Sequence, residues 1–185
     1  PTIEDVNGGN GQYNPDFFGW SVSSSNDGFT VAVGSLLSDG DGLALGKVSV
    51  YQYDGFIWNK IGQDLFGESY ESEFGYSVSI NSTGDLLAVG SPGSNLNGYL
   101  SGNVYLFKLY QNNWKKLELN INPEEGEEMG SQINLNKNNT LVIKSKNNIT
   151  TLDIKVPCHL YYGCTDPIAE NFDITANMHQ QDSCL

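Results

Sequence analysis

Residues 18–63 of this chain repeat as residues 74–119. Laid without gaps at an offset of 56, the two stretches share sixteen identities. Phe18-Gly19 falls on Phe74-Gly75, Ser21-Val22-Ser23 on Ser77-Val78-Ser79, Gly28 on Gly84, and Ala32-Val33-Gly34-Ser35 on Ala88-Val89-Gly90-Ser91. Further on, Gly42, Gly46, Val48, Trp58 and Lys60 meet Gly98, Gly102, Val104, Trp114 and Lys116. A third, eroded copy begins at Met129-Gly130, where Ile133 and Leu135 take the places of Val78 and Ile80 and residues 141–143 match the Leu-Ala-Val run. A repeat of this length commits the fold to units that bury their faces against one another.

Within a unit, short apolar runs alternate with turn residues. Strands are predicted over 21–25 and 30–34 around Asn26-Asp27-Gly28, whose Asp-Gly supplies the positive φ of a tight hairpin, then over 47–53 and, after Asp54-Gly55, over 57–61. No stretch carries a helical apolar period. Each unit is therefore expected to be a four-stranded antiparallel meander, close to the length of a propeller blade. The predicted fold is all-β: two to three antiparallel four-stranded propeller-type blades, open rather than a full ring, followed by a small disulfide-stabilised C-terminal module. The expected divisions are an N-terminal segment 1–17, blades over 18–156 (18–73, 74–128 and the eroded 129–156), and a cysteine-rich tail over 157–185.

Composition narrows the function. Nine basic residues, all lysine, against twenty-two acidic ones give the 185-residue chain a net charge of −13. A surface of that sign repels phosphate backbones and anionic lipid, so no nucleic acid is expected as a partner. No apolar run approaches bilayer length, so no membrane insertion is expected. The chain opens at Pro1 without a basic-then-apolar leader, as expected of a mature secreted product. Sequons at Asn81, Asn138 and Asn148 and three cysteines, Cys158, Cys164 and Cys184, point the same way, to an extracellular or virion-surface location.

The succession Phe-Gly-x-Ser-Val, a turn ending in Gly, Ala-Val-Gly-Ser, a second glycine loop, a Val-x-Val/Leu strand and Trp resembles the FG-GAP repeat of integrin α-chain propellers and of many secreted microbial and algal proteins. The resemblance covers 18–119 well and 129–154 weakly. It implies a β-propeller architecture and calcium in an Asp-rich loop between the first two strands of a blade. Here that loop has shrunk to Asn26-Asp27-Gly28 and to Ser82-Thr83-Gly84-Asp85, too short to wrap an ion. The other loop alternates oxygen ligands, Asp39-x-Asp41-Gly42 and Asn95-x-Asn97-Gly98, and is the remaining candidate calcium site. The same residues suit glycine-bearing turns, and the second copy has lost its carboxylates. No other cofactor is expected.

The tail also carries a resemblance. Gly163 to Pro167, Ala169, Asn171, Asp173 and Ser183-Cys184 are similar to a short Gly-Cys-Thr-Asp-Pro module found at the ends of secreted bacterial, algal and large-virus proteins. A segment so short has no core, and a disulfide is its expected constraint. Three cysteines allow three pairs; Cys164 with Cys184 is favoured, leaving Cys158 for an intersubunit bond or as a buried thiol. Zinc on these cysteines with His159 and His179 lacks the paired short spacings of structural sites.

Two good blades and one eroded one do not close a ring. The exposed flanks are expected to pair with other copies of this chain, with residues 2–6 (Thr2, Ile3 and Val6 among them) supplying an edge strand either to the chain's own third unit or, exchanged, to a neighbouring subunit. Enzymatic signatures are missing from the sequence: the only histidines sit in the tail, and no nucleophile elbow, phosphate loop or zinc helix is present. The expected function is a non-enzymatic, self-assembling subunit of an extracellular fibre, appendage or coat. The alternative is an adhesive propeller fragment recognising protein or glycan through the loops at 39–45 and 95–100.

Overall fold

A computed structural model of the chain describes residues 2–3, 16–38 and 45–155. The chain forms two compact units, Pro1–Asp153 and Ile154–Leu185. Among the described residues there are twelve strands, no helix, and no apolar helix long enough to cross a membrane.

The first sheet runs in the order β1 (Phe18–Ser24), β2 (Thr30–Ser35), β3 (Lys47–Tyr53), β4 (Trp58–Lys60), with β5 (Leu65–Phe66) also on β3. The second is β6 (Ser77–Ile80), β7 (Leu86–Ser91), β8 (Asn103–Tyr110), β9 (Asn113–Leu117), and the third β10 (Gln132–Leu135), β11 (Thr140–Lys144), β12 (Ile149–Asp153). All ladders are antiparallel meanders, as the repeat predicts. The outer edge of the first sheet is split. Ile61 still donates to Val50 O, but Gly62 turns through φ +70°, and the chain rejoins β3 further along as β5. The third sheet has three strands within the described residues.

One turn chemistry closes the first hairpin of every sheet. Ser25 Oγ accepts from Thr30 N at 3.0 Å; Asn81 Oδ1 accepts from Asp85 N and Leu86 N; Asn136 Oδ1 accepts from Asn138 N and Thr140 N. Only the last turn residue is left-handed: Gly28, Gly84, and in the third copy Asn139, the side chain that best tolerates that conformation. The Asp-Gly pair thus supplies one positive φ, not two.

The core lies between sheets. Alternation gives each sheet a front and a back. Val78, Ile80, Leu87, Val89, Tyr105, Phe107 and Trp114 form the front of the second sheet. With Phe74 they pack on Ala32, Val48 and Val50 of the first sheet's back and on Leu65. Small residues on one side receive large ones from the other, which is how two twisted sheets reach close packing.

Candidate interaction surface

Each junction between sheets is held by the same clamp. Ser21 Oγ donates to Gly75 O at 2.6 Å and Ser77 Oγ donates to Gly130 O at 2.7 Å. Ser23 Oγ accepts from Ile80 N at 3.1 Å, and Ser79 Oγ from Leu135 N at 2.8 Å. The glycine paired with the first serine leaves room for the incoming backbone: a Cβ on Gly34 would stand 2.3 Å from Gly75 O, and one on Gly90 2.1 Å from Gly130 O. The Ser-x-Ser identity of the repeat is therefore an adhesive pattern on the back of each sheet.

The third sheet lacks it. Gln132 and Asn134 stand where Ser77 and Ser79 stand, and Gln132 pairs with Lys144, in the place of Gly90. A lysine there fills the space a following backbone would need. Gln132, Asn134, Lys144, Thr151 and Asp153 are exposed on this back face, together with Ile149 at 74% and half-buried Val142, while Ile133, Leu135, Leu141, Ile143 and Leu152 turn to the front. A mainly polar outer face without the serine clamp or its glycine is what ends a stack of repeats.

Among the described residues the opposite end is open. The first sheet presents a front made of the same positions that are buried in the second. Phe18 meets Tyr51 edge-on at 6.4 Å and 88°, as Phe74 meets Phe107 at 6.3 Å and 84°. Yet Val22 is 60% exposed where Val78 is 8%, and Trp58 is half-buried where Trp114 is 2% exposed. Phe29, Tyr53 and Trp58 extend the face as a row of rings 6.3 and 5.3 Å apart, with exposed Phe56 and Ile57 at its rim. Contiguous exposed apolar surface of this kind marks a contact site in a folded protein.

The residues singled out from sequence fall unevenly. Asn81, the first of the three sequon asparagines, is 4% exposed. Its Oδ1 takes two backbone donors, and its Nδ2 reaches Thr83 Oγ1, Asp85 Oδ1 and Asn139 Oδ1. A glycan on that nitrogen would displace the staple of the second hairpin. Asn138 and Asn148 are exposed at the two turns of the third sheet. Asn95 and Asn97 are exposed too, but Asn95 Oδ1 accepts from Leu100 N at 2.7 Å, the work of a turn residue. Among the described residues no three His, Cys, Asp or Glu side chains gather as a metal site. Thr2 and Ile3 lie outside the strands. Val6, Asp39, Asp41, Cys158, Cys164 and Cys184 lie outside the described residues, as do His159 and His179.

Beside the 95–100 loop, a groove of about 550 Å³ is lined by Glu68, Leu96, Asn97, Asn103, Tyr105 and Lys116. Lys116 Nζ bridges Glu68 at 2.6 Å and lies 4.7 Å over the Tyr105 ring. Burial raises the Tyr105 hydroxyl above its ordinary pKa. The sequence marks the loop; strand β9, which supplies Lys116, was not legible as part of the site.

Charge inside the stack is arranged around two aspartates. Burial pushes Asp85 up, but Lys108, whose Nζ donates at 2.5 Å, with Thr83 and Asn81, pulls it net below its ordinary value. Asp64 is likewise raised by burial and brought net below its ordinary value by the Ser49 hydroxyl and Lys60. Glu73 moves the other way, raised by burial and by Glu128. For the lowered aspartates the folded state holds the proton less tightly than the unfolded chain. Their stabilisation is present above the ordinary aspartate pKa of about 4 and is lost as pH falls through the lower folded value. Urea midpoints should therefore fall between pH 5 and pH 2. Asp85→Asn should lower the midpoint at pH 5 and shrink the fall; an unchanged fall contradicts the assignment.

Residues 63–107, from the first sheet's outer edge into β8, match the family model of the FG-GAP repeat. No curated protein matches the chain.

Proposed function

We propose that this chain is a non-enzymatic, extracellular interaction module: a short propeller-type array that works by presenting the open front of its first sheet to another protein. The observation that carries this reading is the pair of unlike ends. One is an aromatic face, shaped as if for packing but exposed; the other is mainly polar apart from Ile149, with Lys144 in the position that would have to be glycine. An extracellular setting is supported by the FG-GAP match, by exposed sequons at Asn138 and Asn148, and by the cysteine pattern of the tail, for which Cys164 with Cys184 remains the proposed pair.

The unlike ends also narrow the expected self-assembly. Head-to-tail stacking of copies into a fibre needs two complementary faces, and the third sheet offers no clamp. Closed complexes replace open polymers as the expected form. Sedimentation velocity on the full chain, with and without chelator, separates these. Discrete species of constant size, indifferent to chelator, are expected. An open-ended series of masses would restore the fibre, and a chelator-dependent change would restore the calcium-bearing adhesin.

A second reading, recognition of a small ligand or glycan, is favoured only at the groove beside residues 95–100. There amides, an ion pair and leucine side chains converge in a volume of ligand size.

A further inference from the structure

The two internal junctions show what the first sheet's front accepts. At both, a front of large side chains meets a back bearing Ser-x-Ser on its inner strand, glycine paired with the first serine, and Ala, Val or Leu beyond: Ala32, Val48 and Val50 in one case, Ala88, Val104 and Leu106 in the other. The front at Phe18, Val22, Val31, Tyr51 and Trp58 repeats the receiving pattern in register. Gly19 repeats it too. It shares φ near +88° with Gly75, but where a Cβ on Gly75 would crowd Lys47 O and Val48, one on Gly19 meets nothing within 4 Å.

We infer that the occupant of this front is a further antiparallel sheet with a Ser-x-Ser inner strand over a glycine and a small aliphatic back, in short one more blade of the kind this chain contains. The inference rests on reading the face as a docking surface, and it names the partner. A second copy of the chain does not supply that back. Two of its three backs are covered internally, and the third carries Gln132, Asn134 and Lys144. The charge on this front is paired: Lys60 Nζ meets Asp64 at 2.9 Å, and Asp64 also accepts from Ser49 Oγ at 2.6 Å, so a covering sheet meets an ion pair rather than a lone charge.

The test supplies the missing back in cis. Residues 18–73 are duplicated in tandem within the full chain. Glu73 leads naturally into Phe74, the counterpart of Phe18, so the new junction is native in kind. Val22→Lys is then made in the single chain, where Val22 is 60% exposed, and in the second copy of the tandem. The expected shift of the thermal midpoint is within about 2 °C in the single chain and a fall of roughly 5 °C or more in the tandem, where the lysine is forced under the added blade. Equal small shifts in both overturn the inference. Sedimentation of the single chain distinguishes the ways of failing. A dimer that Val22→Lys dissociates leaves the docking reading standing and replaces the blade with a second copy. Equal shifts with no such dimer remove both.

Discussion

Gly90→Ala is expected to destabilise the chain by about 3 kcal/mol or more. The added Cβ would stand 2.1 Å from Gly130 O and 2.3 Å from Ser77 Oγ. Neither neighbour can yield cheaply. The carbonyl belongs to the backbone of the next sheet, and the hydroxyl is the donor that holds that carbonyl. Relief requires the second and third sheets to part, which breaks the Ser77 clamp and loosens the Ser79 bond to Leu135 N. Gly28→Ala separates this effect from ordinary glycine strain. It has φ +74° and open space around it, so it should cost only about 1 kcal/mol. In thermal unfolding the Gly90 variant should fall by roughly 6–12 °C and the Gly28 variant by roughly 2–4 °C. Similar shifts in both would mean that the junction is not close-packed around the clamp.

Much of this architecture could be read from the amino-acid pattern, because the repeat encodes it twice. The alternation over 47–53 delimits β3 correctly, and the glycine at the end of the first hairpin marks its turn. The serines at 21, 23, 77 and 79 are visible as identities, but their task is not: it depends on a neighbour's carbonyl arriving over Gly34 or Gly90, a separation of more than 50 residues. The departures in the third copy read as erosion. Only the pairing of Gln132 with Lys144 shows that they fall together on the clamp and end the stack. Asn81 misleads for a similar reason. A hairpin asparagine looks solvent-facing until the turns of successive sheets are seen to touch, with Asn26 N donating to Ser82 O and Asn81 Nδ2 reaching Asn139 Oδ1. The split of the outer edge at Gly62 had no signal beyond a glycine.

Trp114 and Trp58 occupy one position of the repeat and should differ sharply in what they contribute. Trp114 is enclosed between sheets, its Nε1 donates to Ile61 O at 3.1 Å, and its ring occupies the space above Gly62. Trp114→Ala empties that space and is expected to cost about 3–5 kcal/mol. Trp58 holds the equivalent place, two residues before the lysine of the pattern, with the Tyr53 ring 5.3 Å away, on a front that no sheet among the described residues covers. Trp58→Ala is expected to cost about 1 kcal/mol, the scale of a partly exposed site. The difference in unfolding free energy between these two variants, taken from urea titrations of the full chain, measures how closed one face is and how open the other. A gap of about 2 kcal/mol or more is the expected result. Equal losses would mean that the first sheet's front is already packed within the chain, leaving no face for a partner.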